Sequence, residues 1–501
     1  MRNSIPTLLA FALFCGCQVG PEHCVPWTPV PAQWNGPADG AFPTDQPVDA
    51  CWWQAFNDPV LTSLVGQAQT QNLSLQAAAA RIAEARAQRG FAIGGLFPNL
   101  NAIASYTRTD ISDNGTPFGI SFAIPPFDYW STGFDASWEL DLFGRVRRTI
   151  EAADADLDAS VEQCDQLLVT LVGDVAANYA LIRILQERVR FAEDNIRIQR
   201  ETLRITDNRY RAGAVSELDV FQAKSNLRRT EAAIPLLRRE LELTAHRLCV
   251  LLGMPPANLA EELESRPIPN PPPIIAVGLP LDLLNRRPDV RAAQQELAAQ
   301  AARIGIAEAD LYPRLSLLGT FTVDATEIDK WFTGDSIAYR VGPSIRWNIL
   351  SFGRLISSIR VQEARWQEVA ARYRETVLRA FAEAEDALSS CRQYRQSTLS
   401  LAEALEAAKN ATRMAAEQYK RGAVSFQSLL DAERFQTQVQ DAYVEARGNV
   451  VLSVIALYKA LGGGWQWQAM AAANPATPAP PAPRDEPAPQ PAAGEPPAQA
   501  T

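Results

Sequence analysis

Between Trp130 and Leu142 apolar and polar residues alternate almost without a break. Trp130, Thr132, Phe134, Ala136, Trp138, Leu140 and Leu142 fall on one side of an extended chain, and Ser131, Gly133, Asp135, Ser137, Glu139 and Asp141 on the other, because successive side chains of a strand point to opposite faces. A later stretch does the same, with Tyr339, Val341, Pro343, Ile345, Trp347 and Ile349 set against Arg340, Gly342, Ser344, Arg346 and Asn348. Partner strands are expected at 100–109 and 315–323, each followed by a turn-rich loop, 110–128 and 324–336. The result is two hairpins whose strands have the ~9–11 residues of a tilted membrane strand. One apolar and one polar face is the pattern of a transmembrane barrel. No apolar run of ~18 residues is found elsewhere, so helical spans are not expected. Four strands cannot close a barrel, since the smallest use about eight. Open edges in lipid would leave backbone groups unpaired at a cost of several kcal/mol each. The chain is therefore expected to complete its wall by oligomerising.

The other long pattern has a period of seven. Val161, Leu168, Val175, Ile182, Val189, Ile196, Leu203 and Tyr210 form one column, and Tyr373, Ala380, Ala387, Tyr394, Leu401, Ala408 and Ala415 another. Such spacing implies helices supercoiled left-handedly against neighbours. Residues 145–209 contain no proline and one glycine, Gly173; at ~1.5 Å per residue such a helix approaches 100 Å. Returning helices are expected at 217–252 and 426–461, with a kink at Pro235.

These patterns are two copies of one unit. Tyr210-Arg-Ala-Gly-Ala-Val-Ser216 returns as Tyr419-Lys-Arg-Gly-Ala-Val-Ser425 at an offset of 209 residues, which also carries Phe143-Gly144-Arg145 onto Phe352-Gly353-Arg354 and Trp138 onto Trp347. Upstream the offset is 215, as in Phe97-Pro98 and Tyr312-Pro313. The repeated turn joins the long helices. Gly213 and Gly422 suit the left-handed residue that ends a helix, and Ser216 and Ser425 suit the N-cap of the next, with Asp219 at capping-box spacing from Ser216. Helix capping accounts for the glycines and serines. It does not account for Tyr210 and Tyr419, or for Asp219 and Asp431 just inside the returning helices.

Composition removes several classes of function. A net charge of −10 argues against nucleic acid as a partner. The two histidines, His23 and His246, join no cluster with metal-ligand spacing. No nucleophile elbow, phosphate loop or zinc motif is present, so neither an enzyme nor a cofactor is expected. Residues 1–16 read as an export signal, with Arg2 before an apolar run too short to span a bilayer. Cys17, after Gly16, is the candidate for lipidation. An oxidising compartment permits a Cys24–Cys51 disulfide, although free thiols fit the scattered cysteines equally well. Residues 254–280 read as a Pro-rich linker. Residues 465–501, Pro/Ala-rich from 471 onward, read as a disordered tail.

Four motifs give these patterns a family resemblance. They are Gly16-Cys17-Gln18-Val19-Gly20-Pro21, the run 52–59 (Trp-Trp-Gln-Ala-Phe-Asn-Asp-Pro), the run 285–292 (Asn-Arg-Arg-Pro-Asp-Val-Arg-Ala) and its sequel 302–313 ending in Tyr312-Pro313. With both turns, the chain from about 17 to 464 resembles the outer membrane factors, the TolC-like and NodT-like channels of tripartite efflux pumps. The resemblance implies a mainly α fold with a membrane β-barrel. Three chains would build a 12-stranded outer-membrane barrel continued by a periplasmic α-helical barrel, with two structural repeats per chain, 61–253 and 281–464, and an extended N-terminal segment, 17–60. It implies a homotrimer whose partners are outer-membrane lipid, a periplasmic adaptor and an inner-membrane pump of the resistance-nodulation-division type. The tip turns Gly213, Ala214, Val215, Ser216 and Gly422, Ala423, Val424, Ser425 would touch the adaptor. By motif position Asp431 would be a gate aspartate, in a ring of three, with Asp219, Tyr419 and Tyr210 in the closing network; Ser428 stands where some members carry a second gate acid. The implied function is passive conduction of drugs or other small toxic compounds. The alternatives are type I protein secretion and metal-ion efflux.

Overall fold

The computed structural model describes residues 17–35, 40–110, 125–257, 259 and 263–466. The expected signal segment, most of the first hairpin loop and the residues beyond 466 lie outside them. After a 3-10 turn at Trp52–Phe56, the first repeat comprises α1 (Pro59–Gln71), α2 (Leu73–Gly94), β1 (Asn99–Thr109), β2 (Phe127–Leu140), α3 (Arg145–Arg211) and α4 (Glu217–Leu251). The second comprises α5 (Pro280–Arg286), α6 (Pro288–Ala309), β3 (Arg314–Ala325), β4 (Ile337–Arg346), α7 (Arg354–Lys420) and α8 (Phe426–Ala460).

The four strands form one antiparallel sheet in the order β1-β2-β3-β4, so β1 and β4 are both free edges. The repeat offsets reproduce the pairing: Asn99 lies opposite Ser137, and their equivalents Arg314 and Arg346 lie opposite each other. Leu100, Phe134, Phe321, Tyr339, Val341 and Ile345 stand exposed on the apolar face. Two boundaries differ from the sequence expectation. β2 ends at Leu140, leaving Leu142 outside, and β4 ends at Arg346, leaving Trp347 and Ile349 outside. Each ends where its partner runs out, since β3 begins at Arg314, which faces Arg346, and Leu315 faces Leu140. Trp138 Nε1 donates to the Leu96 carbonyl at 2.9 Å and Trp347 Nε1 to the Leu311 carbonyl at 3.0 Å. Each indole caps the helix-to-strand turn at the rim of the sheet nearer the helices, where amphipathic rings suit an interface between apolar and polar surroundings.

Helices α3 and α7 each run 67 residues, about 100 Å at ~1.5 Å per residue. Pro235 lies inside α4, which continues past it. The expectation that no helix is apolar enough to cross a membrane needs correcting: an 18-residue window of α3 has a mean hydropathy of 1.6. That window is 67% buried within the protein, because α3 is the central helix, packed against α1, α2, α4, α6 and α8. Its apolarity is used on the core. The seven-residue column follows suit: Leu168, Val175, Ile182 and Ile196 are buried, while Val161 and Tyr210 at its ends are exposed.

The core lies at the equator, where Trp52, Trp53 and Phe56 join Val172, Val175, Tyr179, Leu248, Val377, Val454 and Leu457. Trp52 stacks on Tyr458 with centroids 5.1 Å apart. The linker feeds the same core through Ile268, Ile275 and Val277, and Ile275 N–H donates to the Ala41 carbonyl at 2.9 Å. Pro280, expected in the linker, starts α5, and Pro59 starts α1 two residues before the expected repeat boundary. Trp465, expected in the tail, donates to the Arg286 carbonyl at 3.1 Å and lies under the Arg291 guanidinium. Cys24 and Cys51 are both free.

Two equivalent junctions set the helices end to end. Asn72 Nδ2 donates to the Leu251 carbonyl at 2.8 Å, joining the start of α2 to the end of α4. At the equivalent positions Arg287 Nη1 donates to the Ala460 carbonyl at 2.9 Å, joining α6 to α8. Orphan carbonyls at two helix ends are thereby satisfied. Arg287 also pairs with Asp289 and Glu383.

The N-terminal segment is strapped to the corner between β2 and α3. Arg148, which is buried, donates to the Val19 and Gly20 carbonyls, both at 3.0 Å. Val19 N–H donates to the Phe143 carbonyl, and Gln18 Nε2 to Glu151 at 3.0 Å. The strap crosses α6 where two glycines meet, Gly20 at φ +97° against Gly305. A Cβ on Gly305 would sit 2.8 Å from Arg148 Nε and 3.0 Å from the Val19 carbonyl. Gly305→Leu is therefore expected to lift the strap at a cost of about 1–3 kcal/mol. Hydrogen exchange should show this as at least a tenfold rise at residues 18–25 with the sheet unchanged; equal exchange in both proteins contradicts it.

Candidate functional site

The two repeated turns lie together at the end of the long helices, farthest from the sheet. Both close by the same backbone pattern. Gly213 N–H bonds the Tyr210 carbonyl and Ala214 N–H the Arg209 carbonyl, each at 2.8 Å; Gly422 and Ala423 bond Tyr419 and Gln418, each at 2.9 Å. With Gly213 at φ +73° and Gly422 at +76°, these are Schellman closures, for which glycine avoids the left-handed Cβ penalty. Ser425 Oγ accepts the Ser428 N–H at 3.4 Å, and the Asp219 carboxylate accepts the Ser216 N–H at 3.3 Å. A recess of about 370 Å³ separates the turns and is lined by Ala214, Val215, Asp219, Tyr419, Val424 and Ser425, among others. Sequence-expected residues from both copies thus meet in one place.

The copies are not used alike. Tyr419 is buried in a small cluster with Ala223, Phe426, Leu429 and Leu430. Its hydroxyl lies 3.3 Å from Thr206 Oγ1 of α3. The Arg209 guanidinium sits 4.5 Å from its ring centroid, a cation–π contact, and Arg209 Nη1 donates to the Tyr419 carbonyl. Tyr419 therefore locks the second hairpin to the first. Tyr210, its equivalent, is 40% exposed and makes no side-chain hydrogen bond among the described residues. Asp431 is exposed on α8 and accepts from Gln427 Nε2 at 2.9 Å. It lies outside the recess and is not joined to Asp219 or Tyr419 within one chain.

Two residues escaped the sequence reading. Arg209 was hidden by its lack of an equivalent pattern. Glu433 is 5% exposed and accepts from Thr202 Oγ1 at 2.5 Å and Asn226 Nδ2 at 3.4 Å. A signal for it existed: Phe426, Leu429, Leu430 and Glu433 fall on one helical face, so the acid continues an apolar stripe. Burial pushes the Glu433 carboxyl above its ordinary value, against the opposing effect of the Thr202 hydroxyl.

A membrane-spanning sheet open at both edges, set above helical hairpins of about 100 Å, defines a channel subunit of the outer-membrane type. The chain belongs to the outer membrane efflux protein family, whose model matches residues 64–254 and 279–463. It is 31% identical over 461 residues to nodulation protein T of Rhizobium leguminosarum bv. trifolii, covering 90% of this chain and 96% of that one. It is 30% identical to the solvent efflux pump outer membrane protein SrpC of Pseudomonas putida, covering 92% and 98%. Among solved structures it resembles the outer-membrane channel OprN, with a TM-score of 0.85, 35% identity, and coverage of 90% of this chain and 100% of that one. SrpC is named as the outer membrane protein of an efflux pump and OprN as an outer-membrane channel. The family forms trimeric outer-membrane channels that work with efflux pumps.

Arg209→Ala removes a charge-assisted hydrogen bond and the ring contact, together worth about 1.5–3 kcal/mol. Amide exchange at residues 417–426 is expected to rise about tenfold or more; an unchanged rate shows that Tyr419 is held without Arg209.

Proposed function

We propose that this chain is the exit duct of a tripartite efflux system. It takes drugs or other small toxic compounds from an inner-membrane pump of the resistance-nodulation-division type through a periplasmic adaptor. The observation that carries the reading is the sheet: apolar on one face, free at both edges, and continuous with hairpins whose tips present two copies of one turn. The tips are the adaptor's contact, through Gly213, Ala214, Val215, Ser216, Gly422, Ala423, Val424 and Ser425. They are also the gate, with Asp431 in a ring of three and Tyr419, Asp219 and Tyr210 around it. The strap leaves Cys17 exposed beside the rim of the sheet, a position suited to a lipid anchor. Small-molecule cargo is supported by the solvent efflux named for the Pseudomonas putida relative.

Closing the barrel pairs β4 of one copy with β1 of the next, as β2 pairs with β3 inside the chain. Asp135 lies opposite Thr320, and the repeat offsets transpose that pair onto Ser344 and Ser105. Residues on both outer helices of the row support the same closure: Leu236 and Val250 of α4 and Leu378 and Leu399 of α7 are exposed and apolar.

The reading is tested by deleting the gene and scoring susceptibility to drugs, detergents, metals and secreted-protein loss. Complementation by the wild type should restore compound tolerance, Asp431→Ala should raise channel conductance, and Cys17→Ser should lose palmitate label. Loss of protein secretion with unaltered tolerance overturns the cargo assignment, and an unchanged conductance overturns the gate. For the seam, Ser344→Cys with Ser105→Cys should oxidise to covalent trimers, whereas Ser344→Cys with Ala104→Cys should not; the reverse result refutes the register.

A further inference from the structure

Glu433 is a carboxyl group without a cation. Its partners are a hydroxyl on α3 and an amide on α4, so one side chain of the second hairpin holds both helices of the first. The direct packing of α8 on α4 is otherwise slight compared with that of α8 on α3 or α7. A cavity of about 10 Å³ beside it is lined by Asn195, Gln199, Thr412, Gln436 and Thr437, none of them charged. Gln199, itself buried, has an Oε1 with no donor. Among the described residues an ionised carboxylate here has no counter-charge, only the two neutral donors. A neutral acid, by contrast, has a proton to share in a site with an unfilled acceptor.

The charged residues flanking this point are engaged elsewhere or face outward. On α3, Arg200 pairs with Glu231 and Glu201 with Arg204. On α4, Arg229 lines a groove of about 690 Å³, and Lys224 is exposed. On α7, Arg413 bonds Asn410. On α8, Asp431 accepts from Gln427, and Arg434 lines the same groove as Arg229. Among the described residues none forms an ion pair with Glu433. The groove also reaches Asn226 and Gln199, which gives the proton a way to solvent.

We propose that Glu433 is a proton-operated latch: as a neutral acid it ties α8 to α3 and α4 and keeps the tip closed, and on giving its proton to water it releases them. This rests on the reading of the tips as the gate. The sign follows from linkage. Burial raises the carboxyl above its ordinary 4.5 in the closed tip, and solvation returns it toward that value when the hairpins part. Closure is therefore stabilised at low pH, and that stabilisation is lost as pH rises through the raised value. Between the two values opening gains up to tenfold per pH unit.

The test compares full-length trimers of the wild type, Glu433→Gln, Thr202→Val and Asp431→Asn by hydrogen exchange of residues 217–230 and 412–437 and by conductance in planar bilayers, at pH 5 and pH 8. At pH 5 the wild type should match Glu433→Gln, which is uncharged at both. At pH 8 its tip exchange should exceed that of Glu433→Gln at least fivefold, with more frequent openings. Thr202→Val, which removes the hydroxyl that steadies the anion, should move the step to higher pH and covers the case in which Glu433→Gln does not assemble. Equal exchange ratios at both pH values overturn the latch, as does a step that Glu433→Gln retains and Asp431→Asn abolishes. A pH step in exchange without one in conductance leaves the latch standing and overturns the gate reading instead.

Discussion

An amide group in lipid has no water to turn to, and that constraint governs this molecule. The sheet β1-β2-β3-β4 satisfies its inner ladders and leaves two edges bare, each bare group costing several kcal/mol in a bilayer. None of the described residues covers them, since the helices leave the sheet at Arg145 and Arg354 and run away from it. Closure by three copies satisfies every edge at once. From it follow the ring of helices beneath, the alternation of apolar and polar residues in the wall, and the meeting of six tip turns on one axis.

Much of this was legible because periodicity is written locally. Strand alternation and seven-residue columns placed the elements to within a few residues, and the offsets of 209 and 215 identified the two halves as copies. Errors arose where a long-range partner decides. Trp347 reads as a strand residue until β3 is seen to begin at Arg314, opposite Arg346, which leaves Trp347 no partner. The apolar window of α3 went unexpected, and its use is visible only in its packing against five helical neighbours. At the tip the glycines and capping residues were readable from the turn, and Tyr419 from its repetition. The burial of Glu433 depends on Thr202 and Asn226, more than two hundred residues away in sequence, so only the broken apolar stripe hinted at it.

Duplication also shows where the copies have parted. Tyr419 is inserted between hairpins and Tyr210 is not; Glu433 is buried, whereas Lys224 at the equivalent place is exposed. Repetition suffices to build a wall. Holding one hairpin against the next needs two different surfaces, and these substitutions supply them.

The same inequality appears at the opposite end. Gln18 lies against Gly144 at the first corner between strand and helix, whereas none of the described residues comes within 4 Å of where a Cβ on Gly353, the second corner, would sit. In a trimer of this chain that makes three straps, each on its own chain's first corner. Three supports fix a plane without redundancy, as the legs of a tripod do.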